Sequence, residues 1–285
     1  MPPAEPYIDA HAHVWTPDVR AYPLAESFTV ADMQPRSFTA EELLAACRPE
    51  GVGRVNLIQM SFYGFDNSYM LDAIARYPER FVGTAIVDPL GPHPDRAMAE
   101  LQPRGARAFR IQPRYSKLPP ARWLEPPGYK AMFAQAARSG VALSCLIDPD
   151  GFAQVDGMGH AVPDAPVIID HLGRVGADGT IRAEDVEALC ALAKHPRVHV
   201  KVGAFYALGA KAPPYLDLAP LIRRVVQAFG ARRCLWESDC PFQVVAHTYA
   251  DSIALVRDRL GFLTPQDREW LLGRTAEALL FRPRA

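Results

Sequence analysis

The 285-residue chain lacks the features of membrane, secreted and nucleic-acid-binding proteins. No apolar run reaches the roughly 18 residues that a membrane-spanning helix needs. The formal net charge of −1 gives no basic surplus for nucleic acid. The five cysteines form no C-x-x-C pair and are odd in number, which favours free thiols in a reducing compartment. The first residues lack the basic and apolar parts of a signal peptide. We therefore predict a cytoplasmic protein whose partner is a small-molecule substrate, and neither nucleic acid nor a membrane.

Short apolar segments alternate with amphipathic segments along the whole chain. Hydrophobic residues make up 49% of the sequence, enough for a large core. This alternation is typical of βα units around a parallel sheet. The predicted strands are Tyr7–Ala10, Arg54–Ile58, Val82–Val87, Ala106–Ile111, Ala142–Ile147, Val167–Asp170, Val198–Val202 and Cys234–Trp236. Eight such units in a chain of this length predict a single-domain (β/α)8 TIM barrel over residues 1–285, in the α/β class.

The ends of several predicted helices are marked by local signals. Thr39 with Glu42 indicates a capping box. A helix over Tyr129–Ser139 is followed by Gly140 at a position typical of a helix C-terminus. A helix over Leu216–Phe229 ends in the same way at a glycine. These signals support helices between the strands, as the barrel requires.

Two histidines end the first predicted strand, in the segment Ile8–His13. Alternate residues of a strand point the same way, so His11 and His13 are expected to project together. Two imidazoles at this spacing can hold one divalent metal ion or jointly polarise a carbonyl. An isolated H-x-H is as often a pair of ordinary surface histidines, but its place at the end of an apolar strand favours the functional interpretation.

A third histidine and an aspartate follow two later strands. His171 ends the sixth run, and Asp239 follows the strand Cys234–Trp236. Each alone has a plain interpretation, as a packed histidine or a turn aspartate. A parallel barrel brings all strand ends to one rim, so we expect both residues to converge with His11 and His13. This ligand set suits one Zn²⁺ or Mn²⁺ with an open water position, and Asp239 can act as the base for water.

These motifs, H-A-H, I-I-D-H-L-G and W-E-S-D-C-P, resemble the amidohydrolase superfamily. More narrowly, they are similar to its amidohydrolase-related branch, which includes 2-pyrone-4,6-dicarboxylate lactonase, sugar lactonases and aminocarboxymuconate-semialdehyde decarboxylase. The stretch from Gln59 to Asn67 is similar to the lactonase side of that branch. The resemblance runs from Ile8 to Phe281. It implies a distorted barrel with the same three rim histidines, and Asp239 as the residue that activates water.

The seventh predicted strand departs from the wider superfamily. Lys201 is the only candidate for a carboxylated lysine between two metal ions, and we interpret it as substrate-binding or structural. Val200–Gly203 stands where some relatives carry a further histidine. A binuclear centre is therefore not expected. Some lactonases of the family work without metal, so the resemblance implies one divalent ion that is not strictly required.

Arginines around the fourth predicted strand suit a carboxylated substrate, because a guanidinium binds a carboxylate through two hydrogen bonds. Arg110 lies on that strand and Arg114 just beyond it, in a region where related lactonases bind acidic substrates. The alternative for each arginine is a surface ion pair, and Glu237 is a candidate partner for an arginine inside the barrel. Gln59 and Ser61 end the second strand and are candidate donors to a substrate carbonyl.

Three functions are compatible with this pattern. The favoured one is a lactonase-like hydrolase that opens a small cyclic ester, with His171 and Asp239 in catalytic roles. The second is a non-oxidative decarboxylase of an aromatic or muconate-type acid, although many such relatives use the histidine that this chain lacks. The third is a barrel that only binds a small ligand, which the costly polar cluster argues against. The oligomeric state is open, with a homodimer as the first candidate.

Overall fold

The computed structural model describes residues 6–281, and its centre is a sheet of eight parallel strands paired in chain order. The strands are β1 Tyr7–Ala12, β2 Val52–Ile58, β3 Phe81–Ala85, β4 Ala106–Ile111, β5 Ala142–Cys145, β6 Val167–Ile169, β7 Val198–Val202 and β8 Cys234–Trp236. Each predicted strand is present, with ends that differ by up to two residues. The nearly closed barrel confirms the predicted fold class.

The seam of the barrel lies between β1 and the residues that follow β8. Ala12 forms a parallel bridge with Cys240. The backbone N–H of Asp239 donates to the carbonyl of His11 at 2.9 Å, and that of His13 donates to the carbonyl of Cys240 at 2.7 Å. The seam is therefore built from the same segments that carry the predicted functional residues.

Helices alternate with the strands, as the βα pattern predicts. In the described residues the α-helices are α1 Ala40–Cys47, α2 Ser68–Arg76, α3 Pro94–Leu101, α4 Pro127–Ser139, α5 Phe152–Ala161, α6 Ala183–Ala191, α7 Ala219–Phe229, α8 Phe242–Ala246, α9 Tyr249–Ala254 and α10 Pro265–Glu269. Wider π-helical turns form Leu255–Arg259, Trp270–Arg274 and Glu277–Phe281. Among residues 6–281, none of these helices has the length and apolar character to cross a membrane.

The predicted helix ends are mostly where the local signals placed them. The Thr39 side chain accepts from the backbone N–H of Glu42, and the reciprocal contact completes the capping box. Gly140 ends α4 with φ 70°, a left-handed conformation that glycine adopts without strain. The helix predicted from Leu216 begins later, at Ala219, because Leu216–Leu218 forms a 3₁₀ turn.

The interior of the barrel has an apolar layer and a polar layer. The strand residues of the apolar layer are Ile8, Ala10, Val82, Ala108, Ala142, Ile168 and Leu235. Ala276 and Leu280 of the C-terminal segment pack against them. Two residues further along the strands, the buried side chains are Thr84, Arg110, Ser144, Asp170 and Glu237. Buried polar groups are costly unless they are paired. The concentration of buried polar side chains therefore points to a functional site at the carboxyl ends of the strands.

Candidate active site

The four predicted rim residues lie together at the carboxyl ends of the strands. Nε2 of His11 is 3.2 Å from Nε2 of His13. Oδ1 of Asp239 lies 3.4 Å from the first of these nitrogens and 3.3 Å from the second. Nε2 of His171 is 4.0 Å from Oδ2 of Asp239. Side chains that are far apart in the chain thus share one point, which we call the histidine centre (His11, His13, His171 and Asp239).

A left-handed turn after β6 places His171 in this centre. The φ angles of His171 and Leu172 are 55° and 53°, which is uncommon for residues with a side chain. Gly173 follows at φ 62°, and a Cβ there would come within 2.4 Å of the Phe152 ring. Such backbone strain persists only where the surroundings impose it, and it concentrates at functional sites.

Asp239 also has a left-handed backbone, with φ 58°. The hydroxyl of Tyr206 donates to its Oδ2 at 2.7 Å. Its Oδ1 is buried and has no hydrogen-bond partner among the described residues. Since a buried carboxylate oxygen is normally satisfied, this atom marks a position for a cation, a water molecule or a substrate group.

The outer ring nitrogens of two histidines are held by groups that only accept hydrogen bonds. Nδ1 of His13 lies 3.0 Å from the carbonyl of Ile58, and Nδ1 of His171 lies 2.7 Å from Oε1 of Glu237. Both Nδ1 atoms must therefore carry hydrogen. In their neutral forms the two rings then turn an Nε2 lone pair toward the centre, as metal-binding histidines do.

The charges of the centre favour an ionised aspartate beside a charged histidine. Burial opposes charge on both Asp239 and His171. The imidazoles of His171 and His13 nevertheless hold the pKa of Asp239 below its usual range. Glu237 and Asp239 likewise raise the pKa of His171 above its ordinary value. Burial, together with the positive charge of Lys201, lowers the pKa of His11 well below its ordinary value, so His11 is neutral.

A cavity of about 530 Å³ opens directly above the centre. His13, His171 and Asp239 face it from the histidine centre. Its other lining side chains include Met60, Ser61, Arg110, Leu146, Arg174, Tyr206, Lys211 and Phe242. A concave space in which polar groups converge between apolar side chains is a usual form of a small-molecule site.

The four residues predicted to bind substrate lie in different places. Arg110 and Ser61 line the cavity, and Nη2 of Arg110 is 3.3 Å from Nε2 of His171. Gln59 is not among the lining residues, and its side-chain amide donates to the carbonyl of Asp66. Lys201 is fully buried beneath the centre, with Nζ 3.0 Å from Nδ1 of His11.

Three further residues belong to the site although the sequence did not assign them to it. Glu237 accepts from the backbone N–H and from Nδ1 of His171, and is thus paired with a histidine rather than with an arginine. Asp170 lies 2.8 Å from Nζ of Lys201. Tyr206 holds Asp239 from a 3₁₀ turn after β7. For Glu237 and Asp170, the only signal in the sequence was their place as acidic residues within the motifs that contain Asp239 and His171. No sequence pattern marked Tyr206.

A strained, buried histidine and aspartate centre below an open cavity, at the carboxyl ends of barrel strands, stands where the active sites of barrel enzymes lie. The amidohydrolase family model matches residues 8–282. The chain therefore belongs to the amidohydrolase family, as the motifs predicted, and it is a hydrolase.

Curated relatives agree with this assignment, and a solved structure has the same fold. The chain is 27% identical over 249 residues to L-fucono-1,5-lactonase of Burkholderia ambifaria, covering 86% of this chain and 83% of the relative. It is 25% identical over 237 residues to 4-sulfomuconolactone hydrolase of Rhizobium radiobacter, covering 82% and 75%. The fold is similar to that of a probable 2-pyrone-4,6-dicarboxylic acid hydrolase of Acinetobacter baumannii, with a TM-score of 0.80, 22% identity and coverage of 96% and 98%.

Proposed function

We propose that this protein is a lactonase that opens a cyclic ester of a small, carboxylated substrate by attack of water. The observation that carries the proposal is the unpartnered Oδ1 of Asp239, held beside His11 and His13 at the floor of the cavity. Both curated relatives described above are named as enzymes that hydrolyse lactones. A water molecule between this oxygen and a substrate carbonyl would be activated where the substrate binds.

The histidine centre fits one divalent cation. Three imidazoles and one carboxylate converge, and Oδ1 of Asp239 lacks any other partner among the described residues. Nitrogen and oxygen donors of this kind suit Zn²⁺ or Mn²⁺. When bound, the ion supplies Lewis-acid polarisation of the substrate carbonyl.

Asp239 is placed to take the proton of the attacking water. Its depressed pKa keeps it ionised at neutral pH, and the hydrogen bond from Tyr206 to Oδ2 leaves Oδ1 to accept the proton. The water oxygen bonds to the carbonyl carbon, and the ring C–O bond then breaks. The proton held by Asp239 passes to the departing alkoxide, so the product is an open-chain hydroxy acid.

The proposal is tested with a panel of carboxylated and neutral lactones, in which acid release is followed at constant pH. We expect turnover of a carboxylated lactone, and Asp239→Asn should lower kcat about 10²- to 10⁴-fold with little change in KM, because proton transfer to a positioned base contributes a factor of that order. Circular dichroism and thermal unfolding of the variant show whether it is folded. A folded Asp239→Asn protein with full turnover would remove the assignment, and CO₂ release from aromatic acids without lactone opening would favour the decarboxylase instead.

A further inference from the structure

His11 differs from the other two histidines of the centre because its outer nitrogen has two competing neighbours. Nδ1 of His11 lies 3.0 Å from Nζ of Lys201 and 3.1 Å from Oε2 of Glu237. An ammonium group can only donate a hydrogen bond, whereas a carboxylate can only accept one. A neutral imidazole cannot satisfy both through the same nitrogen, so the two neighbours favour different positions of the ring hydrogen.

The contact with Lys201 places the hydrogen of the ring on Nε2. Nδ1 then accepts from the ammonium, and Nε2–H points to Nε2 of His13 at 3.2 Å. The latter nitrogen has a free lone pair, because Nδ1 of His13 donates to the carbonyl of Ile58. This arrangement satisfies every ring nitrogen involved, and it puts a hydrogen atom where His11 would otherwise offer a lone pair to a cation.

Glu237 supports the opposite arrangement. Its Oε2 is buried and has no hydrogen-bond partner among the described residues. If Nδ1 of His11 carried the hydrogen, this oxygen, 3.1 Å away, would be the carboxylate acceptor nearest to it, and Nε2 would turn its lone pair toward Asp239. Carboxylates that accept from the outer nitrogen of a ligand histidine commonly increase metal affinity in this way.

Lys201 is held firmly in its competing position. It is fully buried, and its Nζ lies 2.8 Å from Oδ1 of Asp170 and 3.2 Å from Oγ of Ser144. With His11 these atoms use all three donors of the ammonium group. The positive charge therefore stays beside the imidazole of His11 in the resting protein.

We propose that Lys201 and Glu237 compete for Nδ1 of His11, and that this competition sets the affinity of the histidine centre for a divalent cation. Lys201 weakens binding of the ion, and Glu237 strengthens it. The inference rests on the metal centre of the proposed function, and it is independent of the lactone substrate.

The test compares the Zn²⁺ affinity of the metal-stripped full-length protein and its variants, by competition with a chromophoric chelator. Lys201→Met should bind Zn²⁺ about 10-fold more tightly, since second partners of ligand histidines have effects of at least this size. Glu237→Gln should bind it about 10- to 100-fold more weakly, but this variant also changes the contact with Nδ1 of His171, so the lysine variants decide the test. Lys130→Met is the control, because it removes the same charge from an exposed position on α4. Its affinity should equal that of the wild type.

Two further measurements keep the test decisive if Lys201→Met does not fold. Lys201→Met leaves Asp170 without its ammonium partner, so the charge-balanced Lys201→Met/Asp170→Asn protein is measured beside it, with the same expected gain. Nitrogen-15 correlation spectra of histidine-labelled, metal-free wild-type protein should show His11 with its hydrogen on Nε2. A hydrogen on Nδ1, an affinity unchanged or lowered in both lysine variants, or no Zn²⁺ binding by any protein would overturn the inference. Absence of lactone hydrolysis with the expected affinities would overturn only the proposed substrate.

Discussion

Arg110 links the histidine centre to the cavity. Its Nη2 lies 3.3 Å from Nε2 of His171 and 3.6 Å from Oδ2 of Asp170, and its Nε is buried without a hydrogen-bond partner among the described residues. A guanidinium that retains unused donors beside a cavity suits the carboxylate of a substrate. At the scale of single residues, the site is thus defined as much by unpaired atoms as by contacts.

Replacement of Arg110 by Met should raise KM for a carboxylated lactone about 10- to 100-fold, because hydrogen bonds to charged groups contribute about 1.5–3 kcal/mol. KM for a neutral lactone of similar size should change little. Steady-state kinetics on the two substrates measure the difference. Equal losses on both lactones would mean that Arg110 acts through His171 and Asp170 and does not bind the carboxylate.

At the scale of elements, the close approach of β7 and β8 positions His171. Gly203 directly follows β7, and a Cβ there would lie 2.1 Å from Cγ and 2.2 Å from the carbonyl oxygen of Glu237. Glu237 in turn holds the backbone N–H and the ring of His171. The absence of a side chain at position 203 therefore allows the carboxylate to reach the histidine.

Gly203→Ala should destabilise the protein by about 1–3 kcal/mol, the usual range for overpacking, and should lower kcat as Glu237 is displaced. Urea unfolding and lactone turnover measure the two effects. Gly157→Ala on α5 is the control, since a Cβ there meets nothing within 4 Å. The control should be neutral or stabilised by about 0.5–1 kcal/mol, because alanine favours helix over glycine. Equal stability of the two variants would contradict the steric argument.

At the scale of the whole molecule, one half of the barrel supports stability and the other half supports function. The apolar layer is sealed by the C-terminal segment, whereas the polar layer opens into the cavity. His199, near the start of β7, belongs to the half away from the cavity. Burial and the positive charge of Arg233 contribute to lowering its pKa from 6.5 to about 4.

This depressed pKa predicts how stability depends on pH. Between pH 6.5 and 4 the unfolded chain binds a proton at His199 that the folded protein does not bind. The contribution of His199 to the free energy of unfolding is therefore present above pH 6.5 and is lost as the pH falls through 4. Urea unfolding at several pH values and constant salt measures the free energy of unfolding against pH. Between pH 4 and 6.5 its slope should be shallower for His199→Gln than for the wild type. Identical slopes would show that other groups cause the dependence.

Much of the architecture followed from local sequence patterns. Apolar runs separated by amphipathic helical segments predicted all eight strands, and Thr39 and Gly140 marked helix ends. These signals could be recognised because they depend only on near neighbours in the chain. His11 and Asp239 were predicted as site residues for the same reason, since each stands at or just beyond the carboxyl end of an apolar strand. Because the carboxyl ends of the strands of a parallel barrel lie at one rim, the fold then predicted that these residues lie together.

The pairing inside the site was decided only by the tertiary structure. Glu237 contacts a histidine 66 residues away in the chain, and Lys201 contacts one 190 residues away. Gln59 turns to its own loop rather than to the cavity. Sequence patterns determine which strand end carries a polar side chain. Which of several buried polar groups meet depends on strand register, on loop path and on the mutual satisfaction of donors and acceptors, and these are properties of the closed barrel as a whole.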